Sequence, residues 1–200
     1  MSVIDLGAQL YTVREFTQNE RDFEETARKV ADIGYKTVQV SGIGAIPAQV
    51  VADVLAAHDL KCVITHTNPA RIKDDTKAVI EEHKLMGANY IGIGMMQEEY
   101  RGSSAGVKQF VKDYSPAIKM IGDAGMKFMY HNHDFEFGKM DGRRVIEYLM
   151  DCSDIGFTLD TYWVQAGGGD PAEWLRTLKG RVDVIHVKDM IWRDGAPRMC

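Results

Sequence analysis

The chain has 200 residues, with 24 Lys and Arg against 29 Asp and Glu and a formal net charge of -5. That length fits one domain, residues 1–200, and the acidic balance argues against nucleic acid or an anionic membrane surface as partner. No apolar run approaches the roughly 18–20 residues that a membrane span needs, and Met1-Ser2-Val3-Ile4-Asp5 lacks the basic start of a signal peptide. The three cysteines, Cys62, Cys152 and Cys200, are odd in number and far apart, which points to reduced thiols in a cytoplasmic protein.

In chain order, short β-prone runs alternate with helical patterns. The runs are 4–10, 37–40, 62–65, 90–93, 127–130, 156–159 and 182–185, mostly apolar, as suits parallel strands covered on both faces. Phe23, Ala27, Val30 and Ile33 share one helix face. Val50, Val51, Val54 and Leu55 form a second stripe, after Pro47 at the first helical position. Ile72, Val79, Ile80 and Met86 form a third, with His58 and His83 expected on exposed helix surfaces. A fourth helical region, 105–124, contains Pro116, which predicts a kink or two helices, the second capped by Ser115. Asp170-Pro171-Ala172-Glu173 reads as a helix start with Asp170 as its cap. Gly34, Gly87, Gly125 and Gly180 stand where helices should end.

Seven such units predict a parallel sheet with helices outside it. The turn after the first run, Tyr11-Thr12-Val13-Arg14, lacks the glycine fingerprint of a doubly wound dinucleotide fold. The expected fold is therefore a (β/α)8 TIM barrel, truncated after its seventh strand, although residues 190–200 could supply an unusual eighth. Open edges on strands one and seven would leave room for a homo-oligomer.

In such a barrel the chemistry sits at the C-terminal strand ends. Arg14 follows strand one, His66 strand three, and His131, His133 and Glu136 strand five. Asp160 ends strand six, with Trp163 three residues on; His186 ends strand seven, followed by Lys188. Asp160 and His186, on adjacent strands, can offer oxygen and nitrogen to one divalent cation, and Glu136 adds a second carboxylate. Trp163 either stacks on a sugar ring or packs at the barrel top. Gly167-Gly168-Gly169 could cradle a phosphate, but the Asp170 cap would repel an anion, so a plain loop is expected there.

The segments GAQLYTVR (7–14), YHNHDFEF (130–137), LDTYW (159–163) and HVKD (186–189) come in the order found in a known family. On these segments the chain resembles the sugar phosphate isomerase/epimerase group of the xylose isomerase-like TIM barrels. The resemblance implies one divalent metal ion, Mn, Co, Mg or Zn, held by a Glu from strand five, an Asp from strand six, a His from strand seven and a Glu from strand eight. Asp160 and His186 match the middle two. Glu136 is taken as the strand-five ligand, with His131 or His133 as alternatives, and the strand-eight Glu has no counterpart. The implied activity is isomerisation or epimerisation of a sugar or keto-sugar, phosphorylated or not, by proton transfer through an enediolate, with Glu136 in the acid–base role. His66, His131, His133, Trp163, Lys188 and Arg14 would contact the carbohydrate, Arg14 through an anionic group if it is not merely structural. A dehydratase or lyase on the same barrel, or a non-catalytic barrel fragment, is the alternative.

Overall fold

The computed structural model describes residues 5–200, so Ile4 of the first expected strand lies outside the described residues. The chain divides into two compact units: Met1–Ile91 with Asp123–Met126, and Gly92–Gly122 with Lys127–Cys200.

The first unit runs β1 (Gly7–Gln9), a 3-10 helix (Leu10–Phe16), α1 (Glu20–Ile33), β2 (Thr37–Val40), α2 (Ala48–Ala57), β3 (Lys61–His66), α3 (Pro69–Asp74) and α4 (Thr76–Leu85). β1 pairs parallel with β2, and β2 with β3. α1 starts where the Asn19 side chain accepts the Asp22 N–H at 3.0 Å. It ends at Gly34, whose φ of 112° lies outside the range that other residues readily adopt. Its apolar stripe, Phe23, Ala27 and Val30, is buried with Val38 and Val40 of β2, Val51 and Leu55 of α2, and Cys62 of β3. Burial pushes the Cys62 thiol up to about 12, so it serves as a small apolar filler. β4 (Tyr90–Ile93) begins at the end of this unit and finishes in the next.

The second unit continues with a 3-10 turn (Glu98–Tyr100), α5 (Ser104–Asp123), β5 (Lys127–His131), a 3-10 turn (Phe135–Phe137), and a two-stranded hairpin of β6 (Lys139–Met140) and β7 (Arg143–Arg144). Then come α6 (Val145–Met150), β8 (Ile155–Asp160), α7 (Thr161–Ala166), α8 (Pro171–Thr177) and β9 (Val182–His186). β5 pairs parallel with β8, and β8 with β9. All six residues of β8 are buried, as expected of a strand with neighbours on both edges and both faces. Phe110 and Tyr114 of α5 stack at 4.4 Å between ring centroids, and Phe110 meets Tyr130 of β5 edge-on at 5.9 Å. This aromatic wedge supports β5 from behind and so fixes where its far end lies.

Several expectations need correction. Pro116 does not divide α5, which is one helix from Ser104 to Asp123; the Ser115 hydroxyl donates to Val111 O one turn earlier instead of capping a new helix. Pro47 is the residue before α2, not its first helical residue. His83 is buried, with its ring nitrogens 2.7 Å from Thr65 Oγ1 and 2.7 Å from Val79 O. Residues 190–199 form an antiparallel hairpin, β10 (Met190–Arg193) with β11 (Ala196–Met199), rather than a further strand of the parallel series. Its turn, Asp194-Gly195, has φ of 54° and 72°, the conformation a two-residue hairpin turn demands.

Candidate metal and substrate site

The site grows out of three strand ends. β8 and β9 are in register so that Asp160 is the direct partner of His186, the last rung of that ladder. His131 ends β5 two residues beyond the rung that pairs Met129 with Gly156. Parallel strands lie about 4.8 Å apart, so groups at these ends converge without help from loops. His131, Asp160 and His186 are all buried, and their potential ligand atoms lie within 4.8 Å of one another.

The convergence is on one atom, Asp160 Oδ2. His131 Nε2 lies 3.2 Å from it, His186 Nδ1 3.4 Å and Lys188 Nζ 2.7 Å. The other oxygen, Oδ1, accepts the Trp163 N–H at 3.2 Å, so Asp160 also caps α7. Burial alone would push the Asp160 carboxyl up, but the His131, His186 and Lys188 hydrogen bonds outweigh it and hold the group far below the usual carboxylate range. Burial pushes His186 down to about 4, against the Asp160 hydrogen bond.

His131 is oriented from behind. Its Nδ1 lies 2.9 Å from Gly94 O, and because a carbonyl can only accept, Nδ1 carries the proton. Nε2, on the opposite side of the ring, faces the Asp160 carboxylate oxygen at 3.2 Å. An imidazole whose rear N–H is held by a backbone carbonyl is also the usual arrangement of a metal-binding histidine.

Three further residues build the frame. Asn132 is fully buried and its amide clasps the backbone of Asp160, accepting the Asp160 N–H at 2.9 Å and donating to Asp160 O at 3.3 Å. The Thr161 hydroxyl donates to Lys188 O at 2.6 Å and accepts the Lys188 N–H at 2.9 Å, pinning the chain just past β9. Tyr130 donates to Glu136 Oε1 at 2.5 Å. None of the three stood out as a site residue in the sequence. Asn132 and Thr161 each adjoin a nominated residue, but side chains that bond to backbone leave no periodic signal.

Glu136 comes five residues after His131. The 3-10 turn Phe135–Phe137 carries its side chain inward, where it is fully buried, and its Oε2 accepts the His133 N–H at 2.7 Å. Both oxygens are thus engaged within residues 130–136, apart from the His131, Asp160 and His186 group. Burial pushes its carboxyl up to about 7, only partly offset by the Tyr130 and His133 donors.

His133 stands on the rim of the group, its ring centroid 4.8 Å from that of His131, 5.0 Å from the Trp163 ring and 6.4 Å from that of Phe135, nearly parallel to the last. Burial, with His131 next to it, pushes His133 down to about 3, so the ring is neutral. Its Nδ1 has no hydrogen-bond partner among the described residues. The structure therefore gathers His131, His133, Asp160, Trp163, His186 and Lys188 in the second unit. Arg14 and His66 lie in the first. Arg14 folds onto its own turn, donating to Tyr11 O at 2.9 Å with its guanidinium 4.4 Å above the Tyr11 ring, while His66 closes β3. Gly167-Gly168-Gly169 is a loop leading to α8, whose first turn is capped by Asp170 Oδ1 accepting the Glu173 N–H at 2.7 Å.

Comparison with known proteins agrees with this architecture. Among solved structures, a sugar phosphate isomerase/epimerase from Parabacteroides distasonis ATCC 8503 superposes with a TM-score of 0.82 at 20% identity, over 97% of this chain and 78% of that one. A xylose isomerase-like TIM barrel protein from Mycobacterium smegmatis in complex with magnesium gives 0.71 at 12% identity, over 98% and 79%. An L-ribulose 3-epimerase gives 0.70 at 12% identity, over 92% and 69%. No curated protein matches the chain by sequence. The sequence model of the xylose isomerase-like TIM barrels matches residues 27–198. With parallel β/α units, polar strand ends and a match over most of its length, the chain belongs to the xylose isomerase-like TIM barrel family.

Proposed function

We propose that the chain is a divalent-metal-dependent isomerase or epimerase of a sugar or keto-sugar, and that His131, Asp160 and His186 hold the ion. The observation that carries this reading is the convergence of the His131, Asp160 and His186 ligand atoms within 4.8 Å of one another, with His131 held from behind where Nδ1 meets Gly94 O. A donor set of two imidazoles and one carboxylate suits Zn or Co better than Mn, and Mn better than Mg. The similar structures include an L-ribulose 3-epimerase and a magnesium complex, which supports the same reading.

When bound, the ion would supply Lewis-acid stabilisation of the charge that develops on a substrate oxygen as a proton leaves the neighbouring carbon. His131 and His186 orient the site, and Asp160 brings the negative charge that neutralises part of the ion. His133, beside His131 and with no hydrogen-bond partner at Nδ1 among the described residues, is placed to meet a substrate oxygen. Trp163, in contact with His133, walls the site and offers a flat face to a sugar ring. Glu136 acts from behind, holding the His133 N–H and so the course of the chain between His131 and His133.

The direct test is incubation with unphosphorylated and phosphorylated ketoses in deuterium oxide with Mn²⁺, followed by NMR. Deuterium should enter at the carbon next to the carbonyl. Mass-spectrometric metal analysis of Asp160→Ala should find the ion lost. No exchange with any ketose would sink the isomerase reading, and full metal retention in Asp160→Ala would sink the ligand assignment.

A further inference from the structure

We propose that Lys188 is a built-in competitor of the divalent ion: its ammonium and the ion occupy Asp160 Oδ2 in turn, and loading the site expels the lysine. The inference rests on the metal reading above and adds the exchange by which the ion enters.

The geometry allows one occupant at a time. Oδ1 of Asp160 is taken by the Trp163 N–H, so Oδ2 alone faces the imidazoles, and the Lys188 ammonium stands 2.7 Å from it. An ion bound to Oδ2 and to the two ring nitrogens at the usual ~2.0–2.2 Å would sit no more than about 5 Å from an ammonium nitrogen that stays 2.7 Å from Oδ2. A doubly and a singly charged cation at that separation repel strongly in a site shielded from water. The buried carboxylate needs some positive partner at all times, since an uncompensated charge there is costly. Lys188 meets that need before the ion arrives, and it holds Asp160 ionised and correctly turned.

The structure also provides for the release. The Lys188 side chain is partly exposed, at 21%, on a flexible four-carbon stem. Its backbone stays fixed, because Thr161 Oγ1 bonds both its N–H and its carbonyl. The ammonium can therefore swing outward while the chain that carries His186 keeps its place. Met190–Arg193 begins only two residues later, so residues 187–189 form a short irregular link that leaves the side chain room to move.

The test compares Mn²⁺ binding, by calorimetry, in the wild-type chain, Lys188→Met, Lys188→Gln and Asp160→Ala. Removing the competitor should tighten binding by at least about tenfold, in Gln as in Met should the apolar variant fold poorly. In the wild-type chain, saturating Mn²⁺ should raise the reactivity of Lys188 toward acetic anhydride, read by peptide mass spectrometry. Equal or weaker Mn²⁺ binding in the Lys188 variants, or unchanged labelling with Mn²⁺ bound, overturns the exchange while leaving the metal site standing. If the wild-type chain binds no Mn²⁺, or binds it undiminished in Asp160→Ala, the metal reading fails, and the exchange fails with it.

Discussion

Asp160 and His186 are register partners on the final rung of the β8–β9 ladder, and their side chains meet at 3.4 Å. Their pairing is a property of the sheet rather than of a loop. A one-residue slip of β9 would turn His186 to the opposite face and leave Asp160 with His131 and Lys188 only.

The clasp that Asn132 places on Asp160 should matter for stability. Asn132→Ala removes an acceptor from a buried backbone N–H and a donor from a buried carbonyl. The expected cost is about 2–4 kcal/mol, read from urea denaturation, because each buried group left unsatisfied costs about 1–3 kcal/mol. A loss below about 0.5 kcal/mol, the range of ordinary surface substitutions, would show that water replaces the amide.

Glu136 predicts a pH dependence with a definite sign. Its carboxyl is raised from 4.5 to about 7 on folding, with burial as the main cause. The folded state therefore holds this proton more tightly than the unfolded state. The stabilisation is complete below pH 4.5 and is lost as pH rises through about 7. It amounts to about 3 kcal/mol. Glu136→Gln should remove this contribution, so the stability of the wild-type chain relative to the variant should fall as pH rises from 4 to 8. A difference between the two that does not change with pH would assign the dependence to other groups.

Gly167 makes a third prediction. A Cβ there would lie 2.6 Å from Asp134 O and 2.8 Å from Phe137 Cβ, contacts that require backbone to move. Gly167→Ala should destabilise by about 1–3 kcal/mol, as overpacking does, with a lower Tm. Gly168→Ala is strained for another reason, its φ of 77°, since a Cβ there meets nothing within 4 Å. Relief by Gly168→Asn, which tolerates that conformation better, but not by Gly167→Asn would separate the two causes.

His83 supplies a fourth, with the opposite sign to Glu136. Burial holds its imidazole below the ordinary 6.5. The unfolded chain takes up the proton first, so stability is full above pH 6.5 and falls as pH drops below it. His83→Gln should lessen this acid-side loss in thermal melts between pH 7 and pH 5; an identical acid limb would refute it.

The strand ends were legible because the chain marks them twice, by an apolar run and by the polar residue that stops it. β2 and β4 fall on the residues expected, and Asp160 and His186 each close the strand assigned to them. Glu136 was not legible, since its direction depends on the 3-10 turn Phe135–Phe137, and five residues of spacing do not say which way a turn faces. His83 could have been read better: it lies four residues after Val79 and three after Ile80, on the same helix stripe. Its polarity suggested the surface, but its phase is that of the core. Pro116 misled for the reverse reason, since a local breaker yields when Phe110, Tyr114 and Ile118 bury a whole helix face around it.

The amide bridge from Asn132 to Asp160 has a consequence for how such a chain can diverge. It ties the tips of β5 and β8 together with main-chain atoms on one side, whatever side chains lie farther back. Mutations accumulating in the outer helices would then shift both tips as a pair, and the spacing between His131 and Asp160 would survive them. A strand pair secured in this way has the means to keep its spacing where sequence likeness is low, as at the 12–20% identity to the solved structures described above.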